Sequence, residues 1–390
     1  MRLVLLLLVL GISGGSNGTT AAHFDPSVAV ASSSTIASGT GSSDWQGRGY
    51  ITRRTDDVLV MVYRIGSGHN TNDAALAIRF SGDNGTTWTA ANTTIAGGAV
   101  GGFPMNPPVG NISYGEGVPL TAPNGDLLIE MWSVDGISST GTLLGTYQSR
   151  STDGGSTWST PAAVTFASNP AADTSTFMSD DWFVFDRVIY MIARWYQDGD
   201  GVPSSLRLMK STNNGTSWSY VSTIVTSSEG TAGALGGQEA GMEYVGNSTI
   251  VTMIRDNAHT ASYRRISTDM GATWGTLDNV TSTVGIAARQ KLYTRSHLQG
   301  LGGWWKDPVL VMEGFVHQNP PSSQTRRNAV WFSPDRGTTW DGPHYIDVSV
   351  EDAGYGDIFW NGSGYSVVNY QGTLLAASLK QYNLTVNLAP

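Results

Sequence analysis

Five copies of one octapeptide run through this chain. They are Ser81–Trp88 (SGDNGTTW), Ser151–Trp158 (STDGGSTW), Ser211–Trp218 (STNNGTSW), Ser267–Trp274 (STDMGATW) and Ser333–Trp340 (SPDRGTTW). The shared pattern is S-x-D-x-G-x-T-W, with Asn213 in place of the Asp once and Ser217 in place of the second Thr once. A fixed-period repeat of this kind constrains the fold more than any other feature, because each copy must be one unit of a repeating architecture. An Asp or Asn side chain accepts hydrogen bonds from backbone N–H groups two or three residues on. The Gly supplies a positive φ at no steric cost. The Trp then opens the next strand, with its ring packed beneath the turn. Alternating runs such as 75–80 (ALAIRF) precede the copies, so each copy is predicted to link two antiparallel strands.

Successive copies start 151 − 81 = 70, 211 − 151 = 60, 267 − 211 = 56 and 333 − 267 = 66 residues apart. Each interval holds four strands and their loops, the content of one propeller blade. The runs beginning at Val58, Asp126, Val188, Ile250 and Val309 read as central strands buried on both faces. Five copies and a further unit after Trp340 predict an all-β, six-bladed β-propeller. The segment from about residue 24 to 40 is expected to add a strand to the last blade and so remove an exposed edge.

Composition agrees. Charged residues are 14% of the 390 and there are 48 Gly, a profile poor in helix formers and rich in turns. The formal charge is −9 with no run of Lys or Arg, which argues against a nucleic-acid partner. With no Cys, disulfides and thiolate metal sites are excluded. No metal or cofactor is expected. Residues 1–22 begin Met1-Arg2 and continue with about ten apolar residues, as a secretory signal peptide does; a buried first strand is the alternative. The stretch is too short to span a bilayer. The expected organisation is therefore a signal peptide at 1–22, a propeller at 23–390, and a secreted or extracellular protein with no membrane span.

The octapeptide resembles the Asp box of the sialidase (neuraminidase) superfamily. The same box occurs in receptors and in other carbohydrate-active proteins, so it implies the scaffold and leaves activity open. Sialidases add a triad of arginines, a Tyr–Glu pair and an Asp. Three guanidinium groups can hold a sugar carboxylate with charge-assisted bonds. That carboxylate would repel a carboxylate nucleophile, and sialidases use a Tyr instead.

Carried over residue by residue, the resemblance implies the following. Glu239 lies sixteen residues before Arg255, matching the Tyr-activating base and a triad arginine; Glu243 is the alternative base. Arg326, with Arg327 in reserve, precedes the last box. Tyr355, before the apolar strand 357–360, matches the nucleophile. Arg48 matches the first triad position, although the neighbouring residues depart from the family's Arg-Ile-Pro. Arg64 matches an arginine after the next strand, and Asp73 on the following loop matches the acid, with His69 placed to assist. Where sialidases often end a later strand with Tyr-Glu, this chain has Tyr370-Gln371, so the brace on the first arginine carries no charge. The implied activity is exo-hydrolysis of terminal sialic acid, or a related acidic sugar, from glycoconjugates with retention. The implied partners are sialylated or other acidic glycans. A non-catalytic propeller that binds carbohydrate or protein is the alternative.

Overall fold

The computed structural model describes residues 27–38, 44–69, 75–91, 112–135, 142–164, 166–168, 177–196, 203–226, 228–229, 238–256, 260–294, 309–318 and 325–387. The expected signal peptide and Asp73 lie outside the described residues. The chain is an all-β propeller, with one short helix, Thr281–Val284, among the described residues. No helix among them is long and apolar enough to cross a membrane.

Hydrogen bonding groups the described strands in five sheets. Four are separate meanders opening on Ile112–Thr121, Phe177–Phe185, Gln238–Tyr244 and Ala287–Thr294. The fifth has seven strands. It joins Asp352–Trp360, Tyr365–Gly372 and Ala376–Asn387 to Asp44–Arg53, Leu59–Gly66 and Ala75–Ser81, through a two-residue parallel pairing of Asp44 with Ala376 and Trp45 with Ala377. Where six separate blades were expected, four stand alone and the rest form one sheet. The reason is local: this parallel pairing joins strands from the two ends of the described chain into one sheet. Ser27–Ala37 pairs antiparallel with Ala376–Asn387, covering an outer edge as anticipated.

The second strand of each unit is the most apolar and the most buried. Leu59 to Tyr63, Ile250 to Arg255 and Leu310 to Val316 are buried throughout. Strands covered on both faces read as continuous rather than alternating apolar runs, which is how they were legible.

The five octapeptide turns share one hydrogen-bond set. In the first, Ser81 Oγ accepts from Gly85 N at 2.8 Å and donates to Asp83 Oδ1 at 2.8 Å. Asp83 accepts from Thr87 N and the Thr87 hydroxyl, at 2.8 and 2.6 Å. The acceptor span is four residues, longer than the two or three expected, because the Ser hydroxyl fills the inside of the turn. The glycines serve a second purpose. A Cβ on Gly155, Gly215 or Gly271 would collide with Phe80, Leu128 or Leu208 of the preceding unit. Backbone carbonyls of the turns also accept bonds from that unit: Arg54 donates to Gly154 O, Arg150 to Asn214 O, Ser222 to Gly271 O and Arg264 to Gly337 O. The repeat therefore fastens neighbouring units as well as closing hairpins.

Candidate active site

Three strands supply part of the candidate site. Within Asp44–Arg53, Gln238–Tyr244 and Asp352–Trp360 the pairing register slips, between Gly47 and Tyr50, Gln238 and Ala240, and Gly354 and Asp357. Each slip is a β-bulge, which re-aims a side chain out of the strand's alternation. The re-aimed residues are Arg48, Glu239 and Tyr355, with φ of 54°, 26° and 45°. Positive φ on such residues costs about 1–3 kcal/mol each, a strain that clusters at functional sites. Glycines make room for it: a Cβ on Gly47 would meet the Tyr370 ring at 2.6 Å, and one on Gly356 the Val368 carbonyl at 2.0 Å.

These bulges lie at one end of their sheets and the octapeptides at the other. Gln238 is opposite Arg255, whereas Ser267, which opens an octapeptide, is opposite Ile250 at the far end of the same strand. Likewise Arg326 is opposite His317 and Ser333 opposite Leu310.

At the bulge end, Tyr355 donates its hydroxyl to Glu239 Oε1 at 2.5 Å, across 116 residues of sequence. Arg255 Nη2 lies 3.1 Å from the other oxygen, Glu239 Oε2. The Arg48 guanidinium stands over the Tyr355 ring, 4.8 Å from its centroid. Its Nη1 is 3.9 Å from Glu116 Oε2, and its Nη2 donates to the His69 carbonyl at 3.2 Å. Arg326 Nη1 bonds Asp352 Oδ1 at 2.8 Å, with its guanidinium over the Phe315 ring. Three arginines from three strands thus each face a buried carboxylate from another strand, and Tyr355 lies among them.

Burial pushes the Tyr355 hydroxyl up to about 12, helped by the Glu239 charge. Arg255, Arg48 and Arg326 all act in the opposite direction, so all three fields reach the phenol. A buried Tyr with a carboxylate on its hydroxyl and cations on several sides can pass its proton to that carboxylate and be held as phenolate by the cations.

The remaining expected residues lie as follows. Arg64 is 1% exposed, donates to Gly68 O at 2.5 Å and stands over the Trp45 ring, against the loop that follows its strand. Arg327 turns away from the arginine set, donating to Asp347 O and covering the Tyr345 ring. Glu243, further along the same strand as Glu239, is buried and accepts from Tyr244 N. Gln371 donates to Val348 O and accepts from Lys380, so it does not brace Arg48.

Sequence reasoning missed two of the three carboxylates that face the arginines. Glu116 faces Arg48, and Asp352 faces Arg326. Asp352 is 0% exposed and accepts from four side chains: Arg326, Tyr370, His69 and Trp45. Its place three residues before Tyr355 was the one available signal. Among the described residues, no cluster of His, Asp and Glu has the arrangement of a metal site.

No protein-family model and no curated protein matches this sequence. Solved structures do. A protein of unknown function from Dyadobacter fermentans aligns over 92% of this chain and 99% of its own, with TM-score 0.66 at 13% identity. The sialidase of Trypanosoma rangeli in complex with sialic acid aligns over 87% of this chain and 54% of its own, with TM-score 0.63 at 13% identity. The alpha-L-arabinanase of Penicillium chrysogenum, complexed with arabinobiose, aligns over 92% and 98%, with TM-score 0.58 at 12% identity. At these identities the likeness is one of fold: the chain is a β-propeller of the architecture found in sialidases and in an arabinanase.

Proposed function

We propose that this chain is an exo-acting glycoside hydrolase that releases terminal sialic acid, or a closely related acidic sugar, with retention of configuration. The observation that carries the reading is the Tyr355–Glu239 hydrogen bond at 2.5 Å, with Arg255 on the second Glu239 oxygen. Arg48, Arg255 and Arg326 take the sugar carboxylate. Tyr355 gives its proton to Glu239, and its oxygen attacks the anomeric carbon as the bond to the leaving group breaks. Asp73 supplies the proton that the leaving oxygen gains. In the second step the Asp73 carboxylate takes a proton from water as the water oxygen attacks the anomeric carbon, the bond to Tyr355 breaks, and Glu239 returns its proton to the Tyr355 oxygen.

The scaffold belongs to the same reading. The seven-stranded sheet counts as two blades, giving six in all, and the five octapeptides are Asp boxes. Six first strands support this count, since each carries a register slip near its start.

Pocket charge separates this function from that of a propeller taking neutral sugars. Three arginines, Arg48, Arg255 and Arg326, surround the Tyr355 phenol, a cationic setting that favours an acidic sugar over a neutral one. The test is hydrolysis of three fluorogenic aryl glycosides by the wild-type protein: an α-sialoside, a β-glucuronide and an α-L-arabinofuranoside. Turnover of the sialoside with retained configuration, followed by proton NMR, supports the proposal. Turnover of the arabinofuranoside alone sinks it. Binding of free sialic acid with no turnover moves the chain to a carbohydrate-binding role.

A further inference from the structure

His69 is an unusual neighbour for a nucleophile of this kind. It is 5% exposed and sits at the end of the hairpin that carries Arg64. Its ring meets those of Trp45, Tyr355 and Tyr370 edge to face, with centroids 5.3, 5.4 and 5.7 Å apart. Its backbone is committed too: N donates to Leu374 O at 2.8 Å and O accepts from Arg48. A side chain caged by three rings and anchored by its own backbone has one orientation.

The tautomer follows from the partners. Nδ1 lies 2.7 Å from Asp352 Oδ2 and 3.0 Å from the Tyr370 hydroxyl. Burial works to raise Asp352, but the hydrogen bonds from His69 and Trp45 and the Arg326 charge hold it below the usual carboxylate range. An ionised carboxylate only accepts, so Nδ1 carries the proton. Tyr370 spends its own proton on Asp352 Oδ1, at 3.0 Å. Burial, with Arg48 and then Arg326 beside the ring, holds His69 down to about 4 in spite of Asp352, so the imidazole is neutral at pH 7. Nε2 is then a bare lone pair, and it bonds no group among the described residues. A neutral acceptor among guanidinium groups, beside the phenol, matches a hydroxyl donor on a ligand whose anion the arginines hold.

We infer that Asp352 is a positioning residue that fixes His69 as its Nδ1–H form, and that His69 Nε2 accepts a hydrogen bond from a hydroxyl of the bound acidic sugar. This rests on the acidic-sugar reading above, yet its test needs no turnover. Asp352 also seats Arg326, so one carboxylate sets both the anion contact and the hydroxyl contact. A sugar acid lacking that hydroxyl would leave Nε2 unpaired on binding and be selected against.

The experiment is nitrogen NMR of the full chain with labelled histidine, titrated with free N-acetylneuraminic acid. In the free protein, one imidazole is expected to show a protonated Nδ1 and an unprotonated Nε2 at pH 7. Assignment is by its loss in His69→Gln. Saturating sugar is expected to shift that Nε2 as a new acceptor, and Asp352→Asn, whose amide can donate, to turn the ring to Nε2–H. His69→Gln keeps an acceptor near Nε2 and is expected to bind the sugar within about threefold of wild type, whereas His69→Phe should lose roughly tenfold. An Nε2–H ring in the wild type, an Nε2 resonance unmoved by bound sugar, or equal losses in the Gln and Phe variants each overturn the inference. If His69→Phe fails to fold, the wild-type titration still decides. Failure of hydrolysis with an intact Nε2 response would remove the proposed catalysis and leave this contact standing.

Discussion

The Tyr355 hydroxyl donates to Glu239 Oε1 at 2.5 Å, although the two residues stand on different sheets. Each sits in a β-bulge with positive φ, so two strained backbone positions are used to make one hydrogen bond. A phenol raised to about 12 is wholly protonated at neutral pH, which makes it inert without a base. In the proposed mechanism Glu239 is that base, and Arg255 lies 3.1 Å from the other oxygen of its carboxylate.

Tyr355→Phe removes one oxygen and keeps the ring over which Arg48 stands. Turnover of an aryl sialoside is expected to fall by roughly three orders of magnitude or more, with the dissociation constant of free sialic acid within about threefold of wild type. Calorimetric binding beside steady-state kinetics checks this. Retained turnover would take Tyr355 out of the nucleophile's role.

Glu239→Gln keeps the shape and a hydrogen bond to Tyr355 but cannot take up a proton. The expected result is a fall in kcat of roughly 10²–10⁴, with a smaller change in KM. The Tyr355 phenol should also become easier to ionise, since the Glu239 charge is second only to burial in raising it. Ultraviolet titration of tyrosinate in the variant reads this directly, and a phenol that ionises no more easily would contradict the stated cause.

How much of this was legible in the sequence depends on the range of the interaction. The octapeptide turns are local: Ser, Asp, Gly and Thr bond within four or five residues, so the pattern is written contiguously. The buried second strands were legible as unbroken apolar runs. Glu239, Arg255, Arg326 and Tyr355 could be singled out only through resemblance, because nothing near Tyr355 in sequence says that a Glu 116 residues earlier will touch it. Glu116 and Asp352 were missed for the same reason. Their partners Arg48 and Arg326 come from other strands, and a lone acidic residue in a β-strand has no periodicity to mark it. The fusion of the first and last units rests on two backbone pairings that leave no side-chain signature.

Arg326→Ala separates anchoring from chemistry. Arg326 contacts Asp352 rather than Glu239 or the Tyr355 hydroxyl, so its loss should leave the Tyr–Glu pair intact. KM for the sialoside is expected to rise roughly 10- to 100-fold, with kcat changed less, as for one lost charge-assisted contact in a desolvated site. Michaelis–Menten analysis of the purified variant makes the split visible. A collapse of kcat at unchanged KM would mean that Arg326 stabilises charge in the transition state and does not anchor the ground state.

Acid sensitivity should be built into the octapeptide turns, and Asn213 shows how to test it. Asp153 is held down to about 2, first by the Thr157 hydroxyl, then by Thr157 N and the Ser151 hydroxyl, all of which favour the ionised form. An unfolded Asp titrates near 3.9. A carboxylate lowered on folding adds stability that is complete above the unfolded pKa and is lost as pH falls through the folded one, here between about pH 4 and about pH 2. Asn213 fills the same position without titrating. Its Oδ1 accepts from Ser217 N at 3.0 Å, and its Nδ2 donates to Ser217 Oγ at 2.9 Å, so the hydroxyl contact is kept with reversed polarity. Asp153→Asn should therefore fold, melt lower than wild type at pH 7, and lose less on acidification. Scanning calorimetry of both proteins from pH 7 to pH 2 should show the two melting temperatures converging as pH falls below about 4. Sialoside turnover at pH 7 should be unchanged, since the turn lies at the end of the strands opposite Tyr355. A melting-temperature gap that stays constant across the whole range would mean that these hydrogen bonds do not prefer the ionised carboxylate, and that the Asp in the repeat is kept for its shape alone.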